Sequence, residues 1–182
     1  SNLTAPVMPI VKQRNLLLIG NFALDANARL RHDKYFSSLP SASADQWAAP
    51  FFDLAKQLQG KTVALLAADA EFAQTLAGGA RNEAKKRAIQ LVYDQTYPPA
   101  TVDFSSMLRA LRAKQPDAVF VAGYPSDSAA IVRAVKEIGV GGSVKLFGGG
   151  MVGLQFTAVM QAEMPRRLAG EIEEDAGEHR VF

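Results

Sequence analysis

Aromatic side chains recur where predicted strands end, and they are the side chains of this chain best suited to contact a small molecule. The rings of phenylalanine and tyrosine stack on apolar groups, and a tyrosine hydroxyl also forms hydrogen bonds. Ligands of open α/β sheets bind in the crevice at the carboxyl ends of the strands. We therefore expect one rim formed by Phe72, Tyr97, Tyr124 and Met151. The alternative is that these rings only close the edge of the core.

Metal binding and histidine catalysis have little support in the sequence. The chain has no cysteine and two histidines. His32 stands between Arg31 and Asp33 in a polar segment, and His179 lies near the end of the chain, so both are expected at the surface. We expect neither a metal ion nor a cofactor.

Covalent and acid–base catalysis are disfavoured as well. No Gly-x-Ser-x-Gly motif occurs, and Ser126 is interpreted as a helix cap rather than a nucleophile. Asp69 and Asp103 also stand where helix N-caps are expected, and Asp127 is interpreted as a first-turn residue. Because no nucleophile and no acid–base pair stands out, the chain is not expected to be an enzyme.

Two glycine clusters could be mistaken for nucleotide-binding loops. Gly139, Gly141 and Gly142 follow a predicted helix, whereas a dinucleotide fingerprint follows a strand, so this cluster is interpreted as a turn. The run Gly148–Gly150 follows a predicted strand but lacks the Lys-Ser/Thr of a phosphate loop. We expect it to let a ligand approach the backbone closely, with plain turn geometry as the alternative.

Composition limits the classes of partner. The 182 residues are 48% hydrophobic, and 20 basic residues against 18 acidic ones leave a net charge of +2. The basic residues form no block, so nucleic acid is not an expected partner. No stretch approaches the roughly 20 apolar residues that a membrane-spanning helix needs.

Strands and helices alternate from Lys61 onward. The strands read as continuous apolar runs, which is typical of a parallel sheet covered on both faces. Strands are predicted at Thr62–Ala67, Ile89–Asp94, Ala118–Ala122 and Val144–Phe147, and helices at Ala44–Gln59, Glu71–Arg87, Asp103–Lys114 and Ser126–Ile138. Gly139 ends the last of these helices as a C-terminal glycine should. The sequence thus predicts an α/β fold with three αβα layers and a Rossmann-like parallel sheet.

The beginning of the chain is less self-contained. Leu16–Ile19 reads as a buried strand, and a boundary is placed near Pro40. A lone strand cannot pair its own backbone groups, so this strand is expected either to join the main sheet or to pair with a second copy in a homodimer. The predicted organisation is residues 1–40, a domain over 41–162, and a charged helix or tail over 163–182.

At this point several motifs together resemble a known family. They are Tyr97-Pro98-Pro99, Asp103-Phe104-Ser105, Pro116-Asp117-Ala118-Val119 and Gly123-Tyr124, at intervals similar to those in the second lobe of type I periplasmic solute-binding proteins of branched-chain amino-acid ABC transporters. The resemblance runs from about Ala5 to Gln161. It implies a two-lobed periplasmic receptor that closes on a small solute and then docks on a membrane permease.

The resemblance also implies which residues face the solute. The turn Asn21-Phe22-Ala23-Leu24 aligns with the first-lobe turn that holds a ligand carboxylate, while Phe72 and Tyr124 align with second-lobe aromatic residues. Met151 stands where the family places an acidic partner for the ligand ammonium, and Leu24 offers no hydroxyl. An amide, an aromatic acid or another weakly charged solute is therefore as strong a candidate as an amino acid.

Such receptors are about twice as long as this chain, so residues 1–40 are interpreted as a remnant of the first lobe and hinge. The first residues show no signal peptide, as expected if a leader has been removed. With one face of the cleft missing, the chain alone is predicted to bind solute weakly or not at all. The alternative function is a cytoplasmic ligand-sensing regulator of the same fold, of the amide-sensor type.

Overall fold

Four parallel strands form the main sheet of the computed structural model, which describes residues 4–20, 27, 30–37, 44–140 and 144–151. The strand order is β4-β3-β5-β6. The strands are β3 (Thr62–Ala68), β4 (Gln90–Tyr97), β5 (Ala118–Gly123) and β6 (Leu146–Met151). The two central strands, β3 and β5, are the most continuously apolar and are buried along nearly their whole length. Burial on both faces explains why they show no alternation of polar and apolar residues.

Helices cover both faces of this sheet. They are α2 (Ala49–Gln57), α3 (Glu71–Lys86), α4 (Ser105–Ala113) and α5 (Pro125–Ile138). The chain moves outward from β3 to β4 and then back past β3 to β5, so right-handed crossovers place α3 on one face and α4 and α5 on the other. Helix α2 contacts α3, and α4 contacts α5. The predicted three-layer αβα fold is confirmed.

Helix boundaries differ from the prediction in two places. The single helix predicted over Ala44–Gln59 is a 3₁₀ helix at Ala44–Ala48 followed by α2, because Pro50 lacks an N–H and fits only the first turn of an α-helix. Ser126 lies inside α5 and is not its cap, since the residue before the helix is Tyr124. Gly139 has the expected left-handed conformation, with φ 71°.

The other two predicted caps have different outcomes. Asp69 is not the cap of α3, which begins after Ala70 without a side-chain cap. The carboxylate of Asp103 does accept the backbone N–H of Ser105 at 2.8 Å, although the boundary residue of α4 is Phe104. This hydrogen bond lowers the pKa of the Asp103 carboxyl.

Asp117 ties together the starts of the two central strands. One carboxylate oxygen accepts the backbone N–H groups of Lys61 and Thr62 at 2.8 and 3.0 Å and the Thr62 hydroxyl at 2.9 Å. These bonds, the one from Lys61 above all, lower the pKa of Asp117. The register between β3 and β5 is thereby fixed at the sheet edge opposite to the carboxyl ends of the strands.

The N-terminal segment has a small sheet of its own. Helix α1 (Thr4–Gln13) precedes β1 (Leu18–Gly20), which pairs in parallel with β2 (Tyr35–Ser37). Strand β1 thus pairs within its own segment, and the expected alternative that it joins the main sheet is wrong. Strand β2 has only three residues, and its neighbours in the sequence are polar. The sequence pattern therefore does not reveal it as a strand.

His32 is buried, which corrects its assignment to the surface. Its Nε2 lies 2.8 Å from the carbonyl oxygen of Leu16, and its backbone exchanges hydrogen bonds with the side chain of Asn27. The ring thus links the segment before β1 to the segment before β2. The polar neighbours Arg31 and Asp33 gave no indication of this long-range contact.

The charged segment 163–182 lies outside the described residues, and so does the boundary near Pro40. Both remain predictions. No helix within the described ranges is long and apolar enough to cross a membrane.

Candidate functional site

The strand order creates one point where consecutive connections leave the sheet on opposite faces. From β3 the chain enters α3 on one face, and from the adjacent β5 it enters α5 on the other. A crevice forms at such a point, at the carboxyl ends of the strands, and it is where doubly wound sheets bind their ligands. Phe72 is the second residue of α3, and Tyr124 lies between β5 and α5. Phe72 and Tyr124, two of the aromatic residues that the sequence predicted for the site, therefore flank the crevice.

Three aromatic rings lie side by side at this edge. The centroids of Phe72 and Tyr124 are 6.4 Å apart with their planes inclined by 61°, and those of Trp47 and Phe72 are 5.6 Å apart at 67°. These are edge-to-face arrangements, which aromatic quadrupoles favour. We call Trp47, Phe72 and Tyr124 the aromatic row. Its three rings are only partly buried, so the row presents apolar surface at the crevice.

Trp47 was missed as a site residue because it falls inside the single helix that the sequence predicts over Ala44–Gln59. The 3₁₀ helix that carries it contacts α3 and β6, and this position brings the indole to the edge of the sheet. Pro50 was the signal that could have revealed it, since a proline in the first turn of α2 excludes Trp47 from that helix.

Tyr97 lies beneath the row instead of on the rim. The residue is buried, and its ring contacts Phe104 edge to face with centroids 5.0 Å apart. Its hydroxyl donates a hydrogen bond to a carboxylate oxygen of Asp127 at 3.3 Å. Burial and the neighbouring Asp127 raise the pKa of Tyr97, so the phenol stays protonated. A direct contact between Tyr97 and a ligand remains a prediction.

Asp127 organises the backbone around Tyr124. The residue is 2% exposed, and the oxygen that accepts the Tyr97 hydroxyl also accepts the backbone N–H of Tyr124 at 3.1 Å. Its other oxygen accepts the hydroxyl of Ser126 at 3.2 Å. A carboxylate in the first turn also interacts favourably with the α5 dipole. The interpretation of Asp127 as a first-turn residue is confirmed, and the structure adds its link to the aromatic row.

Gly123 makes this arrangement possible. A Cβ at this position would lie 2.6 Å from the Tyr97 hydroxyl oxygen and 3.4 Å from a carboxylate oxygen of Asp127. Only a residue without a side chain leaves room for both groups at the end of β5.

The glycine run Gly148–Gly150 lies inside β6 and pairs with β5, so the alternative of plain turn geometry is wrong. A Cβ on Gly150 would clash with a methyl carbon of Leu76, so α3 occupies the space over this glycine. A Cβ on Gly148 would meet no described atom within 4 Å, and close approach of a ligand to this run remains a prediction. Met151 pairs through its backbone with Gly123, but its side chain lies outside the described residues.

The three connections at this edge that the structure describes carry acidic residues and no basic ones. Residues 69–72, 98–104 and 124–128 contain no lysine, arginine or histidine, and their acidic members are Asp69, Glu71, Asp103 and Asp127. Asp69 and Glu71 are exposed on either side of Ala70, next to Phe72. Across the described part of the chain, no three histidine or acidic side chains are grouped closely enough to hold a metal ion. The site therefore combines aromatic surface with negative charge.

Residues 1–164 match the sequence pattern of the family described as Periplasmic binding protein. The chain belongs to this family. This periplasmic binding protein is 30% identical over 105 residues to Leu/Ile/Val-binding protein homolog 8 of Brucella abortus, a match that covers 58% of this chain and 26% of that protein. The chain thus matches about a quarter of the length of its curated relatives.

Solved structures show the same fold. A leucine binding protein from Thermotoga maritima superposes with a TM-score of 0.74 at 16% identity, covering 88% of this chain and 45% of that one. A solute binding protein of an ABC transporter from Rhodopseudomonas palustris, in complex with 3,4-dihydroxybenzoic acid, gives 0.69 at 20% identity and covers 81% and 40%. The family resemblance seen in the sequence is confirmed. The turn Asn21–Leu24 lies outside the described residues, and the roles of the individual site residues remain predictions.

Proposed function

We propose that this chain provides the second-lobe face of the solute cleft in a binding protein of an ABC uptake transporter, and that Phe72 and Tyr124 contact the solute. The observation that carries the proposal is the contact between these two rings at the point where α3 and α5 leave the sheet on opposite faces. The rings come from two separate connections, and the fold brings them together at the ligand-binding crevice of this sheet type.

The proposed solute is a small organic acid or amino acid. The curated relatives are named for leucine, isoleucine and valine, and one structural neighbour holds a dihydroxybenzoic acid. These solutes all combine a carboxylate with an apolar body. The aromatic row suits the apolar body, and the family turn at Asn21–Leu24 would face the carboxylate. Membership of the family supports a periplasmic location, a permease as partner and a binding role without catalysis.

Solute capture would act through closure of two lobes. A solute favours the closed form only by contacts that it makes better there than in the open form. The aromatic row supplies such contacts from one side. The surface of rings at the rim is fully removed from water only when an opposite face covers the solute that lies on them. This domain on its own is accordingly proposed to bind weakly.

The test is a titration of the 182-residue chain with leucine and with 4-hydroxybenzoate, followed by amide resonances in two-dimensional NMR, which detects millimolar binding. We expect the amides of Phe72 and Tyr124 to shift, while those of Lys61 and Asp117, at the opposite edge of the sheet, stay in place. Tyr124→Leu should abolish the shift at Phe72. Tyr93→Leu, at a partly buried tyrosine of β4, is the matched control and should leave it unchanged. Shifts confined to the opposite edge, or no shifts with either solute, would contradict the proposal.

A second copy of the chain is the proposed partner of the N-terminal sheet. Leu17, Ile19 and Phe36 are 61%, 67% and 57% exposed there. One face of this sheet packs against Met8 of α1, whereas Ile19 and Phe36 on the other face meet water. Exposed apolar patches of this kind mark association surfaces.

A further inference from the structure

We propose that Trp47 is a third solute-contacting residue, and that the aromatic row selects a planar aromatic ring whose acidic group points away from this domain. The inference rests on the proposed function and deepens it, since it names one more residue, a class of solute and an orientation.

Trp47 lies next to the two rings that are proposed to contact the solute. Its ring is in edge contact with Phe72, which is in edge contact with Tyr124, so the indole extends the proposed contact surface by one ring. Trp47 is nevertheless 37% exposed. A tryptophan that only served the core would gain more from deeper burial, whereas a solute that lies on Phe72 and Tyr124 could also cover the exposed part of the neighbouring Trp47.

The ring planes of the aromatic row are inclined to one another, and this inclination favours a planar aromatic solute. Neighbouring planes in the row are inclined by 67° and 61°, so edges and faces alternate along it. A planar aromatic solute can add one further edge-to-face or offset-stacked contact to such a series. An aliphatic solute such as leucine would bury area on the row but would lack this electrostatic complementarity.

Negative charge beside the aromatic row determines how an acidic solute can be oriented. In the described connections beside the row, Asp69 and Glu71 are exposed on either side of Ala70, next to Phe72. A carboxylate placed beside Phe72 would meet these two like charges. An aromatic acid can use the row only if its ring lies on the aromatic side chains and its carboxylate points outward, toward an opposing lobe.

Trp47 is the only tryptophan of the chain, so its signals need no assignment. The experiment titrates the 182-residue chain with 4-hydroxybenzoate and with leucine up to millimolar concentration, and records the indole N–H resonance and the tryptophan fluorescence. We expect 4-hydroxybenzoate to shift the resonance and quench the fluorescence, and leucine to do so less at equal concentration. Intermolecular nuclear Overhauser effects to the indole should be stronger from the ring protons next to the hydroxyl than from those next to the carboxylate.

Variants separate a binding role from a structural one. Trp47→Leu should weaken binding of 4-hydroxybenzoate by about tenfold, while Trp47→Phe retains most of it. Leu58→Ala removes an apolar side chain with the same 37% exposure, at the residue that follows the C-terminus of α2, and should leave affinity unchanged. Far-ultraviolet circular dichroism of each variant checks that the fold is kept.

The outcomes distinguish the inference from the function on which it rests. If neither solute moves any amide of the crevice, the proposed function and this inference both fail. If 4-hydroxybenzoate shifts Phe72 and Tyr124 but leaves the indole unchanged, the function stands and the role of Trp47 is overturned. A stronger response to leucine than to 4-hydroxybenzoate overturns the aromatic class. Stronger Overhauser effects from the protons next to the carboxylate overturn the orientation.

Discussion

The hydroxyl of Tyr97 lies 3.3 Å from a carboxylate oxygen of Asp127, and that same oxygen also accepts the backbone N–H of Tyr124. One buried acceptor thus connects the end of β4 with the start of α5. The aromatic row rests on this connection, because Tyr124 follows directly from the backbone that Asp127 holds.

Replacement of Asp127 by alanine should destabilise the protein and displace Tyr124. It would leave a buried hydroxyl and a backbone N–H without their acceptor, which costs about 1–3 kcal/mol in the free energy of unfolding. Urea denaturation measures this loss, and the Tyr124 amide resonance reports the displacement. Asp127→Asn keeps one oxygen acceptor and should cost less. Ser126→Ala, at an exposed position, is the control, and a loss equal to that of Asp127→Ala would contradict the assigned role.

Replacement of Gly123 by alanine should strain the same contact. The new Cβ would lie 2.6 Å from the Tyr97 hydroxyl oxygen, and overpacking of this kind costs about 1–3 kcal/mol. Removing that oxygen in the double variant Gly123→Ala/Tyr97→Phe should recover part of the loss, as a double-mutant cycle in urea would show. Gly78→Ala is the matched control, because a Cβ there meets no atom within 4 Å in the interior of α3. It should stabilise the protein by about 0.5–1 kcal/mol. Strictly additive effects of the Gly123 and Tyr97 substitutions would contradict the proposed strain.

The contribution of Asp117 should depend on pH. Hydrogen bonds from Lys61 and Thr62 lower the pKa of its carboxyl in the folded protein. A group with a lowered folded pKa stabilises the protein above its unfolded pKa, about 3.9 for aspartate, and this stabilisation is lost as the pH falls through the folded pKa. Asp117→Asn should therefore lower the free energy of unfolding by about 1–3 kcal/mol at neutral pH, and the difference should shrink below about pH 4.

Chemical denaturation of the wild type and Asp117→Asn at a series of pH values measures this dependence. Asp33→Asn is the control, because the Asp33 side chain is 86% exposed and exposed charges contribute little to stability. A difference between wild type and Asp117→Asn that stayed constant from neutral pH into acid would show that ionisation of Asp117 does not contribute.

The sequence predicted the main domain well because its signals are local. Strands β3 and β5 are buried on both faces, so each reads as an unbroken apolar run, and helices with one apolar face separate them. Parallel strands with such connections permit few topologies. Phe72 and Tyr124 could be placed at the crevice because Tyr124 directly follows β5 and Phe72 lies in the first turn of the helix that follows β3.

The remaining features depend on contacts that sequence spacing does not reveal. Tyr97 ends a strand just as a rim residue would, but its ring turns toward Phe104 and is buried. His32 has polar neighbours, yet its ring bonds to Leu16, sixteen positions away. Trp47 falls inside the helix predicted over Ala44–Gln59, and only Pro50, a first-turn residue of α2, indicates that the α-helix begins after it. For Tyr97 and His32, tertiary packing decided between two positions that the local pattern left open.

The N-terminal sheet should mediate a dimer of this chain. Exposed Ile19 and Phe36 come from its two strands, and a second copy would remove both side chains from water. Size-exclusion chromatography with light scattering should give a mass that rises from monomer toward dimer with concentration. Phe36→Asp should hold the protein monomeric, since an unpaired carboxylate in an apolar interface is strongly unfavourable. Val102→Asp, at an 87% exposed position of the main domain, is the control and should leave the dimer intact. A monomer at every concentration, or equal dissociation by both variants, would contradict a dimer through this sheet.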